Sequence, residues 1–180
     1  MLRTWRFVTI LLAALGLTLG AAHALELPPK MNYDAEMYTA VTSTLYRLFG
    51  SVGAVIQSAA ILAALVLTFV VRGRPAFRLT LLGALGLVLS LVLWGALVAP
   101  VNAEWLRVME SAPESVAEAY LRLRPRWEYG HVAAFAAWLI GFGLLVLSVL
   151  RETPAERSTA VRRDNALRPT GSGSGRGAQP

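Results

Sequence analysis

The chain has 180 residues, of which 56% are hydrophobic, and its mean hydropathy is +0.54. This composition is too apolar for an ordinary soluble domain of the same size. The absence of cysteine excludes structural disulfides, thiolate-bound zinc, iron–sulfur clusters and thiol redox chemistry.

The apolar residues are concentrated in four uncharged runs: Phe7–Leu25, Leu48–Val71, Leu79–Val101 and Val132–Leu150. Each run is long enough to cross roughly 30 Å of hydrocarbon as a helix. The sequence therefore predicts an all-α fold, a four-helix transmembrane bundle with helices at about 7–25, 48–71, 79–101 and 131–150. Residues 1–150 form one membrane domain in this prediction.

The first run has two interpretations. Arg3 and Arg6, an apolar stretch and then Ala22-His23-Ala24 resemble a signal peptide with its cleavage site. The run is also long for a signal peptide, and small residues at 16, 20 and 24 form a helix-packing stripe. We favour an uncleaved anchor, which keeps His23 in the mature protein.

The segments between the runs carry helix signals of their own. Pro28-Pro29 should end the first helix, and residues 32–47 are amphipathic, with Asn32 or Asp34 as the cap. A second short helix is expected at about 112–123, interrupted by Pro125. The basic, Gly- and Ser-rich tail at 151–180 is predicted to be disordered.

Basic residues predominate on one predicted side of the membrane, and acidic residues predominate on the other. Eleven of the 17 basic residues and three of the 11 acidic residues fall in the two terminal segments and the 72–78 loop. This bias predicts that both termini are cytoplasmic and that the two longer loops face outward, in a bacterial inner membrane. The same bias indicates that the net charge of +6 reflects the topology of a protein in a lipid bilayer and not binding to nucleic acid.

Each of the two histidines lies three residues from a glutamate. His23 precedes Glu26 at the outer end of the first span, and His131 follows Glu128 at the start of the last. Residues three apart share a helix face, and this topology places both pairs at a similar depth on one side. The four residues could bind a divalent transition metal, the histidines could less readily clamp a haem, or all four could simply anchor the interface.

The remaining sequence features concern the surroundings of the histidines and the classes of enzyme and carrier that the sequence does not match. Phe135, Trp138 and Phe142 share a face with His131 and either contact lipid or line a pocket for a flat apolar ligand. Gln57, Ser90 and Trp94 are interpreted as packing residues, and the five tyrosines as an interfacial belt. The sequence contains no Gly-rich phosphate loop, no G-x-S-x-G elbow and no H-E-x-x-H motif, and the four runs lack the charges typical of ion-coupled carriers.

Three stretches, AAHALELPPKM, APVNAEW and RWEYGHVAAF, together resemble a family of small four-helix membrane proteins. Most of its members carry a domain of unknown function, and the family includes the anthrone oxygenases. The resemblance covers about residues 5–150, and the matching positions are His23, Glu26, Pro28, Lys30, Pro100, Asn102, Trp127 and His131. It implies oxygen insertion at an activated methylene between aromatic rings, with His131 or Glu128 as the base and Asn102, Trp127 and Lys30 near the bound group.

The sequence thus supports two hypotheses from different classes. The first is an oxidoreductase-like membrane enzyme that acts on a small apolar or aromatic substrate at the outer interface. Its metal or acid–base site would be His23, Glu26, Glu128 and His131. The second is a non-enzymatic membrane subunit or scaffold without a cofactor. Association into a homo-oligomer is compatible with both.

Overall fold

The structure is a computed structural model that describes residues 1–153, apart from the side chain of Arg47. Its elements are α1 (Leu2–Lys30), α2 (Ala35–Thr44), α3 (Tyr46–Val70), α4 (Phe77–Leu97), α5 (Ala99–Ser111), a 3₁₀ turn (Pro113–Ser115) and α6 (Val116–Arg151). Four segments are long and apolar enough to cross a membrane: Leu2–Lys30, Leu48–Val70, Phe77–Ser111 and Pro113–Arg151. The chain is therefore an all-α integral membrane protein, as predicted. Most of the tail that was predicted to be disordered, residues 154–180, lies outside the described residues.

One carboxylate ties three parts of the chain together at one end of the bundle. Glu152 accepts hydrogen bonds from the Arg6 guanidinium and from the backbone N–H of Ala76 (3.2 Å), and it lies 3.9 Å from Arg74. Burial alone would raise the pKa of Glu152, but these hydrogen bonds and the two arginine charges hold it below its ordinary value. We call this the arginine end and the opposite one, where α1 ends, the histidine end.

Helix α1 packs against α6 through its small residues. A Cβ atom on Gly20 would lie 2.9 Å from the ring of Phe135, and one on Gly16 would overlap the ring of Trp138. The indole Nε1–H of Trp138 donates to the backbone oxygen of Ala13 at 2.8 Å. The predicted packing stripe on the first helix is therefore confirmed at both glycines, because only glycine leaves room for these rings.

Helices α4 and α6 cross with their backbones in contact. A Cβ atom on Gly86 would lie 2.7 Å from the Cα of Gly141, and one on Gly141 would lie 2.8 Å from the carbonyl oxygen of Gly83. Such close approach of two helices in a membrane depends on residues without side chains. Gly83, Gly86 and Gly141 thus allow the two backbones to meet at this crossing.

The crossing gives a matched pair of substitutions on one helix. Gly141→Val should lower the free energy of unfolding by roughly 1–3 kcal/mol because the added methyl groups force α4 and α6 apart. Gly143→Val should cost much less, since a Cβ atom on Gly143 meets nothing within 4 Å. Unfolding in mixed detergent micelles measures both, and the intrinsic helix propensity of valine cancels in the comparison. Equal losses would contradict the close crossing.

Three helix boundaries differ from the sequence predictions. Helix α1 continues through Pro28 and Pro29 to Lys30, because losing two N–H donors in the last turn leaves the preceding turns intact. Helix α6 starts at Val116 and runs through Pro125 without interruption. The span expected to end near Val101 bends only briefly at Val98 and continues as α5. Packing of these extensions against one another outweighs the proline penalties.

The extensions and α2 cover the histidine end. Asp34 caps α2, accepting a hydrogen bond from the N–H of Met37 at 2.8 Å, which confirms one of the two predicted caps. The interpretation of all five tyrosines as an interfacial belt was wrong for three of them. Tyr38, Tyr46 and Tyr120 are buried between these helices, because the segments they occupy fold back on the bundle and not along the membrane surface.

Candidate ligand cavity and active site

The histidine end contains a cavity of about 510 Å³. Residues from α1, α3, α4 and α6 form its walls, and residues from α2 and α5 cover it. Aromatic rings make up much of the lining: Tyr38, Tyr46, Phe49, Trp94, Trp105, Trp127, Phe135 and Trp138. Its volume lies within the range of about 300–1,000 Å³ that is usual for small-molecule sites.

Both histidines line this cavity and contact each other. The rings of His23 and His131 are stacked, with their centroids 4.1 Å apart. The ring of Tyr46 stacks on the other side of His23 at 4.8 Å, and Trp127 meets His23 edge to face at 5.2 Å. His23 is 93% buried, since only 7% of its surface is exposed. The two histidines, predicted to lie on one side of the membrane, are thus in direct contact although more than a hundred residues separate them in the chain.

A chain of hydrogen bonds orients His131. Its Nδ1 lies 2.9 Å from the backbone oxygen of Trp127, and since a carbonyl can only accept, Nδ1 carries the proton. In the neutral ring Nε2 then holds the lone pair. The indole Nε1–H of Trp127 donates to Oδ1 of Asn102 at 2.7 Å, which joins α6 to α5. Asn102 and Trp127, two residues matched by the family resemblance, therefore hold the helix turn that positions His131.

Behind the aromatic wall lies a buried ion pair. The ammonium of Lys30 lies 3.4 Å from Glu128 and 3.4 Å from Glu26, and the Lys30 and Glu128 side chains are 2% and 0% exposed. The same ammonium lies over the rings of Tyr46 at 4.3 Å and Trp127 at 5.2 Å. None of the three charged residues lines the cavity. They support its wall from outside.

The hydrogen bonds around the end of α1 were not foreseen from the sequence. Arg124 donates to the backbone oxygens of Lys30 at 3.2 Å and Tyr33 at 2.9 Å, and it contacts the hydroxyl of Tyr120.

Tyr38, on α2, is 3% exposed. Burial raises the pKa of the Tyr38 phenol well above its ordinary value, and the charge of Glu128 raises it further. The hydroxyl stays protonated and can donate to that carboxylate.

The predicted metal ligands do not converge on one point. Within residues 1–153, no group of three or more histidine, aspartate or glutamate side chains could hold a metal ion. Glu26 and Glu128 face the Lys30 ammonium, which occupies the place a metal cation would need. The stacked histidine rings, in contact at 4.1 Å, leave no gap for a haem. The metal and haem predictions therefore gain no support from this arrangement, whereas an acid–base site is compatible with it.

The structure corrects the interpretation of three residues from the middle of the spans. Gln57, Ser90 and Trp94 were taken as packing residues, but all three line the cavity. Phe135 and Trp138 also line it, whereas Phe142 packs against the hydrophobic core, so two of the three aromatic residues on the face of His131 border a pocket. Polar residues inside predicted spans were the available signal for Gln57 and Ser90, since such residues usually face a cavity or another helix.

No known protein family matches the sequence, and no curated protein or solved structure is detectably similar to it. The class of protein is therefore defined by the fold and the site alone. The chain is a four-helix integral membrane protein with an aromatic-lined cavity at one end and a pair of stacked histidines in its wall.

Proposed function

We propose that this protein is a membrane enzyme that binds a small flat aromatic molecule in the cavity and takes a proton from it with His131. The observation that carries the proposal is the position of His131 in the wall of an aromatic cavity, with its Nδ1–H bonded to the Trp127 carbonyl. That hydrogen bond fixes the tautomer whose Nε2 can accept a proton.

The lining supports a flat aromatic ligand over a charged one. Four of the five tryptophans line the cavity, together with both histidines. Aromatic side chains contribute a large apolar contact area and favour stacking on other rings. A carboxylate or phosphate would have to leave water for a site whose cations already have partners. Arg124, which lines the cavity, donates to the backbone oxygens of Lys30 and Tyr33, and the Lys30 ammonium behind the wall pairs with two carboxylates.

The reaction that fits best is the one implied by the resemblance to anthrone oxygenases. His131 would take a proton from a methylene between two aromatic rings, and the resulting carbanion would react with dioxygen. The methylene compound and one dioxygen then give one quinone and one water, so that the substrate loses two hydrogens and gains one oxygen. Asn102 and Trp127 position the base, and Lys30 and Glu128 hold the wall behind it.

The charge distribution supports an orientation for this site. The arginine end carries Arg6, Arg72, Arg74 and Arg78, and cytoplasmic loops of membrane proteins are enriched in such residues. We therefore place the arginine end in the cytoplasm and the histidine end at the outer interface of a bacterial inner membrane. The paired histidine site, unlike this orientation, also requires that residues 1–24 remain in the mature protein. If N-terminal sequencing finds that the mature protein begins at Leu25, His23 has been cleaved off and the paired histidine site is wrong.

Tryptophan fluorescence provides a direct test of binding. An unreactive quinone such as 9,10-anthraquinone should quench the protein in lipid nanodiscs with a saturable dependence on its concentration. Trp5, which does not line the cavity, gives the control: Trp5→Phe should leave the saturable component intact, and Trp94→Phe should reduce it. Quenching that never saturates, or that Trp5→Phe removes, would mean that the quinone only dissolves in the lipid.

The second hypothesis, a non-enzymatic membrane subunit, remains an outcome of the same experiments. Its support is the packing role of the histidines, since His23 and His131 stack on each other and on neighbouring rings. Saturable binding without any catalysed proton exchange would favour this second function.

A further inference from the structure

The cavity is open on one side, between α3 and α4. Several residues that line it are also exposed on the surface of the bundle. They are Gly50, Ala54 and Ser58 on α3, and Leu91 and Trp94 on α4. The residues on α3 are small and spaced at four, so one face of that helix leaves a gap where side chains would otherwise close the wall.

The opening lies within the membrane-spanning part of the chain. Its two rims belong to the segments Leu48–Val70 and Phe77–Ser111, both apolar enough to cross a membrane. Leu91 is 44% exposed and Trp94 is 37% exposed, and among the side chains that the structure describes no charged residue of α3 or α4 lines the cavity. In a bilayer this side of the cavity would face lipid hydrocarbon and not water.

The opening continues along the covering helices toward the interface. Leu106 and Met109 of α5 line the cavity and are also exposed. On the opposite side, Tyr38, Tyr120 and the Arg124 hydrogen bonds close the region around the end of α1. A molecule that leaves the cavity between α3 and α4 therefore meets mostly apolar rims, whereas the route past α1 is filled by buried side chains.

We infer that the ligand is a membrane-dissolved aromatic molecule that carries an apolar chain, and that it enters sideways between α3 and α4. This inference rests on the proposed function and adds the substrate class and its route. The ring would stack among the histidines and tryptophans, and the chain would remain in the gap or in the lipid. A chain of this kind costs no protein rearrangement, because the gap beside Gly50 and Ala54 is already open.

The test uses two exposed helical glycines, Gly50 on α3 and Gly95 on α4, of which only Gly50 lines the cavity. A Cβ atom on Gly50 or on Gly95 meets nothing within 4 Å, so neither Gly50→Phe nor Gly95→Phe creates a clash at its Cβ. Stopped-flow quenching in nanodiscs, with 1,4-naphthoquinone and its 2-decyl derivative as probes, measures the association rate and affinity of each variant.

The inference predicts that Gly50→Phe slows association of both probes by about fivefold or more relative to Gly95→Phe. It also predicts that the decyl probe, compared at equal mole fraction in the lipid, binds at least as tightly as the unsubstituted ring. If both probes bind saturably but the two variants associate equally fast, or the decyl chain weakens binding about tenfold, the lateral route is wrong and the proposed function stands. If neither probe binds saturably to the unmodified protein, the proposed function fails as well.

Discussion

His131→Gln is expected to lower the rate of proton abstraction from an anthrone-type substrate by about 10²–10⁴-fold, the usual contribution of a general base. Glutamine is close to histidine in size, and its amide N–H can replace Nδ1–H as a donor to the Trp127 carbonyl. What it lacks is a nitrogen that can accept a proton. The substitution therefore removes the base and leaves the cavity wall in place.

Exchange of the acidic methylene hydrogen for deuterium measures this step without oxygen. Anthrone is incubated anaerobically in deuterated buffer with protein in nanodiscs, and the exchange rate above the protein-free background is followed by mass spectrometry. His131→Gln should lower the maximal rate while the dissociation constant of an anthraquinone probe changes by less than about threefold. Loss of affinity and rate in equal proportion would instead indicate that His131 only shapes the pocket.

Two further variants test the assignment of His131, and not His23, as the base. Tyr129 lies two residues away, is 57% exposed and does not line the cavity, so Tyr129→Phe should leave both rate and affinity unchanged. His23→Gln should have a smaller effect on rate than His131→Gln, because no described hydrogen bond fixes the proton on Nδ1 of His23. If His23→Gln removes the exchange and His131→Gln does not, the base is His23 and the role given to His131 is wrong.

The sequence could predict the framework of the site because hydrophobic run length is a strong signal. Four spans and their alternation bring the outer ends of the first and last helices to one side. This was sufficient to anticipate that His23 and His131 would lie close together. The two glycines of the first span also indicated its contact with another helix before that partner was known.

The cover over the cavity could not be predicted in the same way. Pro28 and Pro125 indicate helix ends locally, yet α1 and α6 continue through them, because packing among α1, α5 and α6 outweighs the lost hydrogen bonds. Pro100 lies in the first turn of α5, which continues the span after the break at Val98. Tyr38 and Tyr46 are of the residue type that forms interfacial belts, yet Tyr38 on α2 and Tyr46 at the start of α3 are both buried in the bundle. Tertiary packing determines where these helices end and that these tyrosines are buried. The hydrophobic periodicity of a single sequence does not reveal that packing.

Lys30→Met is expected to lower the free energy of unfolding by about 3–5 kcal/mol, because it leaves the carboxylate of Glu128 buried without a cation. Both side chains are almost completely buried, at 2% and 0% exposure. The ammonium also lies over the rings of Tyr46 and Trp127, so the substitution removes attractive contacts in the wall that supports both histidines. Glu26, 43% exposed, keeps access to water and adds little to this cost.

A surface ion pair on the same end of the bundle supplies the control. Glu104 accepts hydrogen bonds from Arg107 and Arg122 at 3.0 Å, and both arginine side chains are more than half exposed. Glu104→Gln should therefore change the free energy of unfolding far less than Lys30→Met does, because exposed ion pairs contribute little. Unfolding in mixed detergent micelles compares the two on one scale. Similar losses for Lys30→Met and Glu104→Gln would contradict the burial of the Lys30–Glu128 pair.

The double variant Lys30→Met/Glu128→Gln distinguishes an unpaired charge from a loss of shape. Glutamine stays neutral and keeps an oxygen that can accept a hydrogen bond from Tyr38, so the double variant has no uncompensated charge in the wall. It should recover most of the stability lost in Lys30→Met and, with the wall intact, retain saturable binding of an anthraquinone probe. If it stays as unstable as the single variant, the ammonium acts through its contacts with Tyr46 and Trp127 and not as the partner of Glu128.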